Sequence, residues 1–167
     1  MTAETEKTKK SKKYKPRRPF PIHPLEDALK VAKAIQEKNA GKPWKPIFVA
    51  EALEISPNST NFRDLTSSSY KYGLTEGTWN AKQISLTALG HSITRPTDSK
   101  KEVKDLQEAV LNIQVFKTVF EHYKDSKFPK NRQYDDFMTR LFPRESQKTL
   151  GFIYFSFLFS TFVFLLD

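Results

Sequence analysis

The residue types most often used for catalysis or metal binding are sparse in this chain. None of its 167 residues is cysteine, which removes thiolate metal sites, disulfides and cysteine nucleophiles together. The three histidines, His23, His91 and His122, do not lie at metal-ligand spacing from one another. Its five glycines are too scattered for a phosphate-binding loop or a dinucleotide fingerprint. The sequence therefore predicts no metal site and no cofactor.

A run of hydroxyl side chains at residues 66–69 (TSSS) is the remaining candidate for a nucleophile. It lacks the G-x-S-x-G pattern that exposes a serine on a sharp turn, and close helix packing explains small hydroxyl residues adequately. The adjacent carboxylates Asp135 and Asp136 would point to different faces of any helix. Since no catalytic constellation is left, the sequence predicts a protein that is not an enzyme.

Side chains suited to nucleic-acid recognition do occur together, between residues 61 and 82. Arg63 and Asn61 are the predicted base readers, because Arg grips guanine and Asn grips adenine through paired hydrogen bonds. Phosphate contacts, which position a protein without reading sequence, are predicted for Ser67, Ser68, Lys71 and Lys82.

Trp79 is predicted at the tip of a loop, where an exposed indole indicates a contact with DNA or protein. The alternative is that the ring folds back onto Tyr70 or Tyr72.

The elements that position these side chains begin with two helices. Apolar residues at spacings of three and four between Leu25 and Ile35 predict a first helix, which Gly41 and Pro43 end. The segment KPIFVAEAL, residues 45–53, predicts a short second helix. Its inward side chains are expected to be Phe48, Ala52 and Leu53.

A third helix is predicted over about residues 59–71, with two distinct faces. The apolar face contains Phe62, Leu65, Ser69 and Tyr72. The polar face contains Thr60, Arg63, Asp64, Ser67 and Lys71. Gly73 is placed to close this helix in the left-handed conformation.

Two short strands follow the third helix, at about residues 74–76 and 83–86. Gly77 and Asn80 provide the turn chemistry of the loop between them. Thr87 is placed to cap one more helical turn. Three helices followed by a hairpin is the order of a winged helix-turn-helix, with the hairpin as the wing. The predicted fold class is therefore mainly α with a small β-hairpin, plus appended C-terminal helices.

The stretch KYGLTEGTWNAKQISLTALGHSI resembles the N-terminal winged-helix module of prokaryotic proteins that carry a TIR-like nucleotide-binding effector domain. The resemblance covers about residues 25–123, and FRDLTSSSYKYGL and ISLTALG carry most of it. His91 stands where similar proteins often have a basic residue, and no effector domain follows. The resemblance implies a module that senses or docks a partner on behalf of a defence-type effector.

Positive charge is concentrated at the amino terminus. The net charge is +9, and residues 1–24 contribute +6 of it through eight Lys or Arg against two Glu. The remaining residues carry only +3. The proline-rich segment KPRRPFPIHP predicts an extended linker. We therefore predict a basic disordered arm and linker over residues 1–23, called the basic arm below; it lacks the apolar core of a signal peptide.

Three further segments follow a winged-helix domain predicted at residues 24–96. An apolar stripe from Val103 to Tyr123 predicts appended helices over residues 97–128, which pack on the winged helix or on a second copy of it. Residues 129–149 are predicted to be a linker with a short helix near residues 134–142.

The last segment, residues 150–166, runs from Leu150 to Leu166 without a charge. As a helix it would reach about 25 Å, at the low end of what a membrane requires. A C-terminal membrane anchor is therefore one interpretation. The aromatic density also suits an aggregation-prone strand or packing within an oligomer. A truncated or frame-shifted reading frame is a further interpretation of such an end.

These observations leave the partner open between double-stranded DNA and protein. For DNA, the third helix would enter the major groove, the wing would contact the flanking backbone or minor groove, and the basic arm would add nonspecific phosphate affinity. The near-neutral body and Asp64 beside Arg63 favour a protein-interaction or oligomerisation module, including a homodimer. The predicted location is cytoplasmic. An anchor at residues 150–166 would instead tether the N-terminal domain on the cytoplasmic side.

Overall fold

The computed structural model describes residues 20–123, which form six helices and one two-stranded antiparallel sheet. In chain order these are α1 (Leu25–Asn39), α2 (Pro46–Ala52), α3 (Thr60–Lys71), β1 (Thr75–Glu76), β2 (Ser85–Leu86), α4 (Ala88–Thr94), α5 (Ser99–Leu111) and α6 (Gln114–Tyr123). The predicted fold class, mainly α with a small β-hairpin, is confirmed. Residues 1–19 and 124–167 lie outside the described residues, and with them the helix predicted near residues 134–142 and the tail predicted at 150–166.

Both ends of α3 are defined by local chemistry. Ser59 is the N-cap, and its hydroxyl accepts a hydrogen bond from the Phe62 amide at 3.1 Å. Gly73 follows the helix with a φ of +74°, a left-handed conformation that glycine adopts without strain. The prediction that Gly73 closes this helix is confirmed. The chain thereby reverses direction at once and enters β1.

The hairpin pairs Thr75 with Leu86 and Glu76 with Ser85, so its strands are shorter than predicted. A third segment pairs with the hairpin at Ile84, and this pairing was not predicted from the sequence. Trp44 and Ile84 exchange two backbone hydrogen bonds, of 2.9 and 2.7 Å. Because Trp44 lies between α1 and α2, this pairing fixes the hairpin to the start of the domain.

A single hydrophobic core joins α1, α3, the hairpin and the later helices. The buried face of α1 packs against α3, α4 and β2. Residues from α5, α6 and their junction enter the same core: Ala109, Val110, Ile113, Val115 and Phe116. The boundary predicted at residue 96 therefore does not separate two cores. Of the two predicted arrangements, the appended helices pack on the domain itself.

The prediction that Phe48 faces inward is wrong. Val49 and Ala50 are the fully buried residues of α2, and Phe48 lies on the opposite side of that short helix with 41% of its surface exposed. Its ring stacks instead on Trp44, with centroids 6.1 Å apart. Ile47 and Phe48 are exposed, and with the half-buried Trp44 they are called the α2 patch below.

Candidate functional site

The candidate surface begins with the exposed side of α3. Phe62, Leu65, Ser69 and Tyr72 are buried, as the periodicity predicted. At 100° per residue, Arg63, Ser67 and Tyr70 lie within about 60° of one another on the far side. Tyr70 is 54% exposed and was not among the predicted site residues. Its position next to Arg63 and Ser67 on a helical wheel was the available signal.

The loop between β1 and β2 returns to this side of α3 through Trp79. The Arg63 guanidinium carbon lies 4.3 Å from the centroid of the Trp79 ring, a cation–π contact. The predicted alternatives, stacking on Tyr70 or Tyr72, are not what the structure has. A contact of this kind at an exposed site contributes about 0.5–1 kcal/mol. The two side chains join helix and hairpin into one surface.

This contact leaves the hydrogen-bond donors of Arg63 available to a partner. The contact places the guanidinium carbon over the indole ring, and a cation–π contact of this kind needs no hydrogen bond from the guanidinium N–H groups. Among the residues that the structure describes, no side-chain or backbone acceptor is bonded to those N–H groups. Arg63 is therefore held in place and can still donate a paired hydrogen bond to a planar acceptor.

Ser68 is not part of this surface, and the prediction that it contacts phosphate is wrong. Its side chain is only 1% exposed. Its hydroxyl accepts hydrogen bonds from the amides of Ile22 (3.2 Å) and His23 (3.1 Å) and donates to the Asp64 carbonyl (2.7 Å). One donor and two acceptor positions are all that a serine hydroxyl has, so none is left for a phosphate.

The contacts of Ser68 belong to a segment that lies along one side of α3. We call residues 20–24 the N-terminal strap. Lys71 donates from Nζ to the Phe20 carbonyl at 2.9 Å, and Tyr72 donates from its hydroxyl to the His23 carbonyl at 3.3 Å. Residues 20–23 were predicted to be part of a disordered linker, which is wrong. The extended chain is bound because α3 offers polar side chains to its backbone groups.

The other predicted residues are accessible at the edges of the surface. Asn61 is exposed in the first turn of α3, Ser67 is half-buried, and Lys82 is exposed in the β1–β2 loop. Lys71 is half-buried beside the strap. The members of what we call the α3–hairpin surface are Asn61, Arg63, Ser67, Tyr70, Lys71, Trp79 and Lys82.

The electrostatics of this surface are modest. Residues 20–123 carry 13 Lys or Arg and 12 Asp or Glu, a net charge of +1. Residues 1–19 carry eight Lys or Arg and two Glu, a net charge of +6. Most of the net positive charge therefore belongs to residues 1–19, which are followed in the chain by the strap beside α3.

Residues 20–123 have the features of neither a metal site nor a membrane span. That part of the chain contains no group of three or more His, Asp or Glu placed to hold a metal ion. Its helices include none with the length and apolar character needed to cross a membrane. The segment predicted as an anchor, residues 150–166, lies outside the range.

Comparisons with protein-family models, curated proteins and solved structures found no match to this chain. The resemblance to the winged-helix module of TIR-like effector proteins therefore stays a prediction that depends on the quoted motifs.

Proposed function

We propose that this protein is a non-catalytic winged-helix module that binds double-stranded DNA through the α3–hairpin surface. The observation that carries the proposal is the contact between Arg63 and Trp79, which joins a helix and a hairpin tip into one exposed surface. The order of three helices followed by a hairpin supports a winged-helix assignment. The Trp44–Ile84 pairing supports it further, since it braces the hairpin against the helices.

In this proposal α3 enters the major groove and Arg63 reads a guanine. Bidentate pairing with the guanine O6 and N7 atoms needs two N–H donors in one plane, and no acceptor among the described residues is bonded to those of Arg63. Holding the guanidinium in advance reduces the side-chain entropy lost on binding. Asn61 is the second base reader, whereas Tyr70, Ser67 and Lys82 contact phosphates.

The test uses the full chain with its basic arm neutralised, because a polycation binds any duplex. The eight Lys and Arg of residues 1–19 are changed to Gln, and binding to a labelled duplex library is measured from low to moderate salt. Arg63→Ala is expected to weaken binding to the selected site about tenfold or more. Arg95→Ala is the matched control, since Arg95 is an exposed arginine that follows α4. Equal losses for both variants would contradict the proposal.

A second function is favoured by the exposed apolar side chains. Trp79 and the α2 patch offer aromatic contact area, and the described residues are nearly neutral. A protein-interaction or oligomerisation module, serving a defence-type effector or forming a homodimer, would use these residues. Its binding would depend little on salt and would fall with Trp79→Ala or Phe48→Ala. Sedimentation equilibrium of the full chain distinguishes the homodimer from a monomer.

For either function we propose that the module lies in the cytoplasm. It is either free there or tethered to the membrane through residues 150–166. Fractionation of cells that express the full chain, compared with a chain ending at residue 149, separates these two locations. Recovery of both chains in the membrane fraction would contradict tethering by the tail.

A further inference from the structure

We infer that the α2 patch is a self-complementary interface through which two copies of this chain pair about a two-fold axis, with their α2 helices antiparallel. The inference rests on the second proposed function, for which it names the partner and the geometry of the contact. It is independent of DNA binding, since it uses no residue of the α3–hairpin surface.

The α2 patch contains two of the four large apolar side chains that are exposed between residues 20 and 123. Ile47 is 48% exposed and Phe48 is 41% exposed, whereas the other two lie on the α3–hairpin surface. Trp44 stacks on Phe48, so the patch is contiguous rather than scattered. Single apolar residues are ordinary on a protein surface, so the occupant of the patch has to be argued from the charges around it.

Charged side chains of opposite sign lie at the two ends of the patch. Lys42 and Lys45 precede α2, Glu51 lies in its last turn, and Glu54 follows it. All four are exposed. Within residues 20–123 none of the four forms an ion pair. The patch therefore has a positive end and a negative end, both open to a partner.

The two charged ends do not neutralise each other within one helix. Lys45 and Glu51 are six residues apart, about 9 Å along a helix axis, whereas side chains three or four residues apart are the ones that meet. At 100° per residue, Glu51 lies between Ile47 and Phe48 around the helix, so its carboxylate shares the face of the patch. The patch is therefore complementary to an apolar surface whose charges have the same order and run in the opposite direction.

A second copy of the same segment provides that surface. The charged residues and the central ring recur at every third position: Lys42, Lys45, Phe48, Glu51 and Glu54. When two segments pair antiparallel with their Phe48 rings opposite each other, residues equally far from Phe48 on its two sides lie at the same level. Lys45 then faces Glu51 of the second copy, and Lys42 faces Glu54. The two-fold axis produces each contact twice, as in any isologous interface.

The apolar side chains and the charges have different roles in this interface. Aromatic side chains near the centre of an interface commonly supply most of its binding energy. Exposed ion pairs at the rim add little affinity, but like charges placed opposite each other are costly. A parallel pair of helices would put lysine against lysine and glutamate against glutamate, so the charge order selects the antiparallel pair. Because the patch is small, the dimer is weak and forms at high protein concentration.

The first experiment is sedimentation equilibrium of the full chain at concentrations up to about 1 mM. The wild type is expected to pass from monomer to dimer, and Phe48→Ala should raise the dimer dissociation constant about tenfold or more. Tyr70→Ala is the matched control, because it removes an exposed ring outside the patch and should leave that constant unchanged. A wild type that stays monomeric, or equal effects of the two variants, would overturn the inference.

Charge reversal tests the antiparallel geometry. Lys45→Glu alone and Glu51→Lys alone each put like charges opposite each other at both ends, so each should raise the dissociation constant about fivefold or more. Both substitutions in one chain restore opposite charges and should return the constant to within about twofold of the wild type. An equimolar mixture of the two single variants should associate as the wild type does. Lys33→Glu, at an exposed position of α1, is the control and should change little.

The outcomes separate this interface from both proposed functions. Association that is lost with Tyr70→Ala but not with the α2 variants would overturn this interface and keep an oligomerisation function. A double variant that stays as weak as the single ones would overturn the antiparallel pairing. DNA binding is judged separately, from Arg63→Ala and its control. Thermal unfolding checks each variant, and the charge variants decide the matter if Phe48→Ala is unfolded.

Discussion

Three of the four hydroxyl side chains at residues 66–69 of α3 use their oxygens inside the fold. Thr66 donates to the Phe62 carbonyl one turn earlier, Ser68 holds the strap, and buried Ser69 accepts from Thr75 of β1. Ser67 is the half-buried member that lies on the α3–hairpin surface. Small hydroxyl residues therefore serve close packing at this helix, and a partner can reach one of the four.

The Arg63–Trp79 contact is expected to give measurable coupling between helix and hairpin. In a double-mutant cycle of Arg63→Ala and Trp79→Ala, urea unfolding should give a coupling of about 0.5–1 kcal/mol. The contact is exposed, so a larger value is not expected. Arg95→Ala paired with Trp79→Ala is the control and should give additive losses. Additivity in the Arg63 cycle would show that the contact contributes nothing in solution.

Gly90→Ala is expected to destabilise the protein although Gly90 lies in a helix. Alanine normally stabilises a helix interior by about 1 kcal/mol relative to glycine. Here a Cβ would lie 2.1 Å from the Leu74 carbonyl oxygen, a backbone atom that cannot move aside cheaply. We expect a net loss of about 1–3 kcal/mol on unfolding in urea.

The control for Gly90→Ala is His91→Ala, an exposed position in the same helix. Its effect should lie within about 0.5 kcal/mol of zero. A stabilised Gly90→Ala protein would mean that β1 and α4 do not approach as closely as described.

At the scale of elements, Thr87 connects the end of α3 with the start of α4. Its hydroxyl accepts from the Gly90 amide at 2.9 Å as the cap of α4, as predicted, and donates to the Gly73 carbonyl at 2.6 Å. One side chain thus satisfies the start of one helix and the turn after another. The geometry of the hairpin between them depends on this link.

Thr87→Val should lower the free energy of unfolding by about 1–2 kcal/mol, because it removes a cap and leaves polar groups unpaired. Thr87→Ser keeps the hydroxyl and should recover most of that loss. Thermal unfolding of the three proteins provides the comparison. Unchanged stability of the Val variant would contradict the structural role of the Thr87 hydroxyl.

The whole described molecule should unfold as one unit, because α5 and α6 share the core of the first three helices. Phe116, which is 5% exposed, belongs to this core. Phe116→Ala should cost about 3–5 kcal/mol and lower the protection of α3 amides along with those of α6. Phe48→Ala makes the same chemical change at an exposed ring and should cost less than about 1 kcal/mol. Two separate unfolding transitions would contradict a single core.

How far the sequence predicts the site can be judged from α3. Helical periodicity correctly identified the buried Phe62, Leu65, Ser69 and Tyr72, since their spacing of three and four residues is a local property. It also placed Arg63 and Ser67 on the polar face of the helix. Ser68 was predicted to contact phosphate and is buried instead, because the strap returns to cover it. No pattern of neighbouring residues predicts that contact, because it joins residues more than 40 positions apart.

Local sequence specifies the helix order, the cap at Thr87, the turn at Gly73 and the concentration of charge before residue 20, because each depends on neighbouring residues or on composition. The tertiary structure alone decided that Trp44 pairs with Ile84, that Trp79 meets Arg63, and that the strap binds Ser68 and Lys71. These contacts join residues far apart in the chain. Their partners are selected by the shape of the assembled core, which no single segment specifies.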